Sequence, residues 1–172
     1  MKHTNYILKL VTAALLAAII FTVTRVLLIP VPGNGYIHPG DAFVLLSGII
    51  LGPIFGGLAA GIGSSMSDIF SPYIIYAPAT FIIKMSAAAL AYYSYKKIRK
   101  NSVILAGLLS SVVITLGYFL YDNIIYNLSM AIFNFPFNIL QNIMGIVIVL
   151  ILLPLLKNVP QVKSWLNQNN IL

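Results

Sequence analysis

The chain has 172 residues, of which 60% are hydrophobic and 8% are charged, and its net charge is +7. Soluble domains carry roughly 25% charged residues, so this composition excludes an ordinary soluble protein and indicates an integral membrane protein. The chain has no cysteine and two histidines, so disulfides and thiolate chemistry are excluded, and we expect no metal site and no cofactor.

Apolar segments recur along the whole chain, separated by glycine, proline and charged residues. A stretch of roughly 20 apolar residues can cross the hydrocarbon core of a bilayer as a helix. We therefore predict an all-α membrane protein, a bundle of six transmembrane helices in a single integral membrane domain spanning residues 1–172. The predicted helices are residues 8–29, 41–51, 54–70, 78–95, 102–126 and 137–156, and a polar tail follows at residues 157–172.

The first predicted helix has the basic start and apolar centre of a signal peptide, but no small-residue cleavage site precedes Arg25. We interpret it as an uncleaved first span. The next segment, residues 30–40, is rich in proline and glycine and is predicted to be a non-helical loop. We expect this loop to act as a lid, with Tyr36 and His38 touching a ligand from above. Alternatively, His38 caps the following helix or bonds to Asp41.

Lysine and arginine accumulate in three places that six spans would put on one side of the membrane. They precede the first predicted helix, follow the fourth and follow the sixth: Lys2, Lys9, Lys96, Lys97, Arg99, Lys100, Lys157 and Lys163. Because cytoplasmic loops are enriched in these residues, we predict that both termini are cytoplasmic. Membrane orientation explains the positive charge better than nucleic-acid binding does.

Under this topology the remaining charged residues all lie in the outer half of the bundle: Arg25, Asp41, Asp68, Lys84 and Asp122. Ionisable groups within a membrane are costly unless they are paired or hydrated. For Arg25 and Asp68, pairing that only stabilises the bundle is as good an interpretation as a ligand site. For Lys84 we favour a ligand site.

Polar and aromatic residues repeat at four-residue spacing on the outer halves of three predicted helices, so each set shares one helix face. The three stripes are Tyr76, Thr80 and Lys84; Tyr118, Asp122 and Tyr126; and Asn134, Asn138 and Gln141. Together they would suit a small, flat, polar ring, because tyrosines can stack on it, amides can meet its nitrogens and hydroxyls, and Lys84 or Asp122 can supply a charged contact. The alternative is an interfacial aromatic belt, with the amides joining helices.

Alanines at four-residue spacing mark the first helix: Ala13, Ala14, Ala17 and Ala18. Small residues let helix backbones approach closely, so we predict a smooth strip on which a helix of another protein docks. Packing within the bundle is the alternative. No phosphate-binding loop, zinc-protease motif or nucleophile elbow is present in the sequence, and we do not expect this chain to be an enzyme or to hydrolyse ATP.

Several motifs together resemble the S component of energy-coupling factor (ECF) vitamin transporters. They are the alanine-patterned first helix, Gly-Tyr-Ile-His-Pro-Gly-Asp at residues 35–41, Leu-Gly-Pro at residues 51–53, Gly-Leu-Ala-Ala-Gly-Ile-Gly at residues 57–63, and Tyr-Ala-Pro-Ala-Thr-Phe-Ile-Ile-Lys at residues 76–84. The resemblance covers nearly the whole chain.

The resemblance implies a membrane-embedded vitamin-binding subunit that docks on a transmembrane T component carrying two cytoplasmic ATPase subunits. Substrate would bind at the outer face, beneath the first loop, and the subunit would topple in the cell membrane to release it inside. The motif at residues 35–41 looks most like members that take hydroxymethylpyrimidine, or the vitamin B6 forms pyridoxine and pyridoxamine. The alternatives are another vitamin, or a structural or assembly membrane protein without a ligand.

Overall fold

The fold is a helical bundle with one short β-hairpin, seen in a computed structural model that describes residues 2–32, 35–98 and 102–168. Its helices are α1 (Lys2–Val26), α2 (Asp41–Leu51), α3 (Pro53–Ile69), α4 (Ala77–Tyr93), α5 (Val103–Ile125), α6 (Leu128–Leu156) and α7 (Pro160–Gln168). The strands are β1 (Ile29–Val31) and β2 (Gly35–Ile37). A 3-10 turn, Ile74–Tyr76, precedes α4, and a π-helical turn, Ser94–Ile98, follows it. Predictions that involve Gly33, Arg99, Lys100 and residues 169–172 lie outside the described residues.

Four helical segments in the described part of the chain are long and apolar enough to cross a membrane: Tyr6–Val26, Ile74–Lys97, Val103–Ile125 and Leu128–Leu156. The two remaining apolar helices are shorter, with 11 residues in α2 and 17 in α3. At 1.5 Å per residue they measure roughly 17 and 26 Å. The protein is therefore a mostly helical, multi-pass membrane protein, while the count of six spans and the orientation stay predictions.

The chain turns from α2 into α3 at Gly52, which has a φ of 88°, a conformation that residues with a side chain rarely adopt. Pro53 then occupies the first turn of α3, where a missing N–H costs nothing. A Cβ on Gly56 would lie 2.1 Å from the Ser47 carbonyl oxygen, so only glycine allows this contact between the two helices. The result is a tight hairpin whose polar ends, Asp41 and Asp68, are both buried.

Two regions differ from the sequence predictions. The predicted loop contains an antiparallel hairpin, in which Ile29 pairs with Ile37 and Val31 with Gly35. The last long helix begins at Leu128 rather than at residue 137, because the Asn127 side chain caps it by accepting a hydrogen bond from Met130 N at 2.9 Å. Pro136 lies inside α6, so it does not end the helix as the prediction assumed.

The predicted polar tail contains an amphipathic helix, α7. Val162, Trp165 and Leu166 recur at a spacing of three and four residues, and all three are buried. They belong to the main apolar core, together with Tyr95 of the π-helical turn. The end of the bundle that carries the α4–α5 connection is therefore closed by side chains.

Candidate ligand-binding site

A cavity of about 480 Å3, measured with its open mouth, lies beneath the β-hairpin at the end of the bundle where α4 and α6 begin. Its walls come from the hairpin, α3, the 3-10 turn, α4, α5 and α6. The lining residues are Val31, Gly35, Tyr36, His38, Asp68, Tyr76, Thr80, Tyr118, Asp122, Asn134, Phe137, Asn138 and Gln141. Such a mixture of aromatic faces and a few fixed polar groups is typical of small-molecule sites.

Most of the ligand contacts predicted from the sequence come together in this cavity: Tyr36, His38, Tyr76, Thr80, Tyr118, Asp122, Asn134, Asn138 and Gln141. Lys84 and Tyr126 do not line it. Four lining residues were not among the predicted contacts: Val31, Gly35, Asp68 and Phe137. Asp68 could have been predicted as a lining residue, because it is a charged residue in the outer half of the predicted bundle. Val31 and Gly35 reach the cavity only through the pairing of the hairpin.

Asp122 sits in the cavity wall with both carboxylate oxygens already bonded. The Tyr76 hydroxyl donates to Oδ1 at 2.6 Å, and Asn134 Nδ2 donates to Oδ2 at 3.0 Å. These bonds join the 3-10 turn, α5 and α6. The two bonds hold the carboxylate in place, and its charged contact with a ligand stays a prediction.

The hairpin is held over the cavity by two tyrosine hydroxyls. The Tyr36 hydroxyl donates to Asp68 Oδ1, and the Tyr73 hydroxyl donates to the Gly35 carbonyl at 3.2 Å. Burial, reinforced by the neighbouring Asp68 carboxylate, raises the pKa of Tyr36 above its ordinary value, so the hydroxyl keeps its proton. The centroids of the Tyr36 and Tyr73 rings lie 4.6 Å apart, so the two tyrosines also pack against each other.

His38 is buried and has its ring nitrogens in defined roles. Nδ1 accepts a hydrogen bond from Gly40 N at 3.0 Å and lies 3.2 Å from Thr24 Oγ1. Burial lowers the pKa of His38 to about 4, with a smaller contribution from Lys84, so the ring is neutral at pH 7. Since Nδ1 accepts, the proton is on Nε2. A neutral His38 is therefore a hydrogen-bond donor in the cavity wall.

Lys84 does not line the cavity but forms a buried ion pair. Its Nζ lies 2.5 Å from Asp41 Oδ1, and both side chains are 1% exposed. Gln141 Nε2 donates to Asp41 Oδ2 at 2.8 Å, and Gln141 Oε1 accepts from His38 N at 3.1 Å. The predicted contact between Lys84 and a ligand is replaced by this pairing, because a buried ammonium is stable only beside a matching charge.

Tyr126 lies behind the cavity wall. Its ring centroid is 6.5 Å from that of Tyr76, within a group that also contains Tyr118 and Tyr121. Tyr126 therefore packs near Tyr76, which lines the cavity, but does not line the cavity itself.

Comparison with known proteins identifies the family of this chain. A family model described as "ECF-type riboflavin transporter, S component" matches residues 4–158. The chain belongs to this family of ECF S components. Members work with a T component and ATPase subunits, as substrate-binding transport subunits rather than as enzymes.

Two individual proteins are similar to this chain. This S component is 32% identical over 130 residues to a Pyrococcus woesei protein described as "Uncharacterized protein in gap 3'region", covering 74% of this chain and 87% of that one. It also shares its fold with a solved structure described as "Structure and mechanism of the S component of a bacterial ECF transporter". That match has a TM-score of 0.72 and 23% identity, and covers 87% of this chain and 95% of the other.

The alanine strip of the S component splits between two faces of α1. Ala13 is buried, and a Cβ on Gly63 of α3 would lie 2.5 Å from the Ala17 carbonyl oxygen, so these two alanines face the bundle. Ala14 and Ala18 are exposed. The sequence prediction treated all four as one docking surface, but positions four apart share a face whereas adjacent positions do not.

Proposed function

We propose that this S component captures riboflavin, or a closely related neutral flavin, in the cavity beneath the hairpin. The observation that carries the proposal is the lining: three tyrosine rings and Phe137 beside the amides of Asn134, Asn138 and Gln141. Aromatic faces suit a flat ring system, and amides suit its polar edge. The riboflavin description of the matched family supports the same ligand.

The charges around the cavity favour a neutral ligand. Lys84 is neutralised by Asp41, and the Asp122 carboxylate already accepts hydrogen bonds from Tyr76 and Asn134. A strongly anionic ligand would meet no free cation among the described lining residues, and a strongly cationic one would meet Asp68 and Asp122, of which Asp122 already accepts two hydrogen bonds. Riboflavin is uncharged at neutral pH and carries both a polar ring edge and a hydroxylated chain.

The cavity is proposed to open to the outside of the cell. It lies where α4 and α6 begin, whereas Lys96, Lys97 and Lys157 lie at or beyond the opposite ends of these helices. Basic residues favour the cytoplasmic side. This supports six spans with both termini inside, counting the α2–α3 hairpin as two spans.

For import, we propose that the S component docks on a T component that carries two cytoplasmic ATPase subunits. The exposed alanines of α1, Ala14 and Ala18, support a close helix contact, because a helix without bulky side chains can approach another helix backbone. Ala13 and Ala17 contribute indirectly, by seating α1 on α3.

The smaller heteroaromatics hydroxymethylpyrimidine, pyridoxine and pyridoxamine are the second candidate substrates. The motif at residues 35–41 favours them, because it looks most like the motif of members that take these compounds. Two of its residues, Tyr36 and His38, line the cavity. They carry ring nitrogens and hydroxymethyl groups that the same amides can bond. They are smaller than a flavin and would fill less of the cavity.

Titration of the detergent-purified S component separates these ligands. Quenching of flavin fluorescence reports riboflavin binding, and calorimetry reports hydroxymethylpyrimidine, pyridoxine and pyridoxamine. We expect saturable riboflavin binding, with the smaller compounds competing weakly or not at all. Binding of a smaller compound in preference to riboflavin would reverse the order of the two candidates. Absence of binding for all of them would favour another vitamin as the substrate.

A further inference from the structure

Asn134 presents an acceptor that the protein leaves unused. Its side chain is 5% exposed and lines the cavity. Among the described residues, its Oδ1 is buried and has no hydrogen-bond partner. Buried polar atoms are nearly always bonded, so such an atom calls for an explanation.

The orientation of this amide is set by Asp122. A carboxylate only accepts hydrogen bonds, so the amide atom that faces Asp122 must be the donor Nδ2, at 3.0 Å from Oδ2. The Tyr76 hydroxyl occupies the other oxygen of Asp122 at 2.6 Å and holds the carboxylate in place. Turning the amide over would set its oxygen against the carboxylate. Oδ1 is therefore held away from Asp122.

The atom belongs to a cavity-lining residue and lies close to Gly35 of the hairpin. A Cβ placed on Gly35 would lie 3.7 Å from Asn134 Oδ1, so the unsubstituted backbone of β2 leaves room beside it. Asn138, one turn further along α6, lines the same wall, and Gln141 follows it. Asn138 Nδ2 donates to the Asn134 backbone carbonyl at 3.4 Å and Gln141 Nε2 donates to Asp41 at 2.8 Å, and each amide has a second N–H that can serve a ligand.

From this arrangement we propose that Asn134 Oδ1 accepts a hydrogen bond from a ring N–H of the bound ligand, and that Asp122 is the positioning residue that keeps the amide in this orientation. This inference rests on the proposed function and narrows its substrate class. The ligand has an N–H flanked by carbonyl groups, as in the imide edge of a flavin. Such an edge complements one acceptor beside amide donors.

The test compares riboflavin with 3-methylriboflavin, in which a methyl group replaces the imide hydrogen. Both ligands are titrated into one preparation of each variant, so the affinity ratio is independent of the folded fraction. Leaving a buried acceptor unsatisfied costs enough to weaken binding about tenfold to a hundredfold. We expect the wild-type S component to prefer riboflavin by that factor, and N134A to bind both ligands with nearly equal affinity.

Two further variants separate positioning from folding. D122A frees the amide, so the ratio of riboflavin affinity to 3-methylriboflavin affinity should fall toward that of N134A. G35A adds a methyl group at ordinary contact distances of 3.6 Å from Val31 and 3.7 Å from Asn134 Oδ1, so it should fold normally yet lower the preference for riboflavin. The matched control is N142A, because Asn142 is an amide on the same helix that donates to Thr115 Oγ1 at 2.9 Å. Its ratio should equal that of the wild type.

The outcomes are distinct. If neither flavin binds to the wild type, the substrate proposal fails, and the inference that rests on it fails with it. If both flavins bind the wild type equally well, the substrate proposal stands and the role of Asn134 is refuted. A preference that survives in N134A would refute it as well.

Discussion

Both ends of the bundle bury aromatic residues, but these residues surround a cavity at one end and fill the core at the other. At the end beneath the hairpin, Tyr36, Tyr76 and Tyr118 surround a cavity and their hydroxyls bond to Asp68, Asp122 and Thr80. At the other end, Tyr95 and Trp165 are almost completely buried against aliphatic side chains. Aromatic rings therefore line a cavity where polar partners hold them apart. They form a packed core where apolar side chains fill the space between them.

The largest expected effect is a loss of stability at the end of the bundle that contains Trp165. Replacing Trp165 with alanine removes a side chain that is 2% exposed, which should cost about 3–5 kcal/mol of unfolding free energy. Thermal unfolding in detergent measures this change. Riboflavin affinity of the folded fraction should stay within about twofold, because Trp165 is not in the cavity wall.

A matched control for this variant is Val159→Ala at the same end, since Val159 is 43% exposed. It should change stability by less than about 0.5 kcal/mol. Loss of riboflavin binding in the folded Trp165 variant would show that the two ends are not independent.

A similar loss is expected from breaking the ion pair beneath the cavity. Lys84→Met leaves the Asp41 carboxylate buried without its cation, which should cost about 3–5 kcal/mol. The double variant Lys84→Met with Asp41→Leu removes both charges and should recover most of that stability. Unfolding midpoints of the three proteins measure the effect. A double variant no more stable than the single one would contradict the pairing as the source of the loss.

A smaller effect, on affinity rather than stability, is expected at Tyr118. Stacking of a flat ring on an aromatic side chain is worth about 1–3 kcal/mol by alanine substitution in related recognition problems. Tyr118→Ala should therefore weaken riboflavin binding roughly fivefold to 150-fold in a fluorescence titration. Tyr93→Ala is the control, because Tyr93 is 45% exposed and lies near the opposite end of α4. Equal losses in both variants would argue against stacking in the cavity.

The smallest predicted effect is a pH dependence from His38. The pKa of His38 is about 4 in the folded protein and 6.5 ordinarily, so the unfolded chain binds more protons between these values. Stability should therefore fall as the pH is lowered through this window, by about 1–2 kcal/mol between pH 6.5 and pH 5. Unfolding free energies measured against pH should show this slope in the wild type but not in His38→Gln.

Helices with long apolar runs were predictable, because their sequences leave no alternative to membrane burial. The cavity stripes on α4, α5 and α6 were visible as well, since positions four apart share a helix face. The start of α6 was missed because Pro136 was interpreted as a breaker, whereas α6 begins at the Asn127 cap and continues through Pro136. The helix in the tail was missed although Val162, Trp165 and Leu166 have helical spacing.

Composition and periodicity along the chain thus establish a multi-pass helical protein with its chemistry gathered at one end, because hydrophobicity and spacing are local properties. The partners of each polar group depend on contacts between distant segments. Lys84 could equally have met a ligand or Asp41, which is 43 positions away, and the sequence could not pair Asp122 with Tyr76 and Asn134. Only the packing of the helices settled these choices, because each buried charge takes the nearest group that satisfies it.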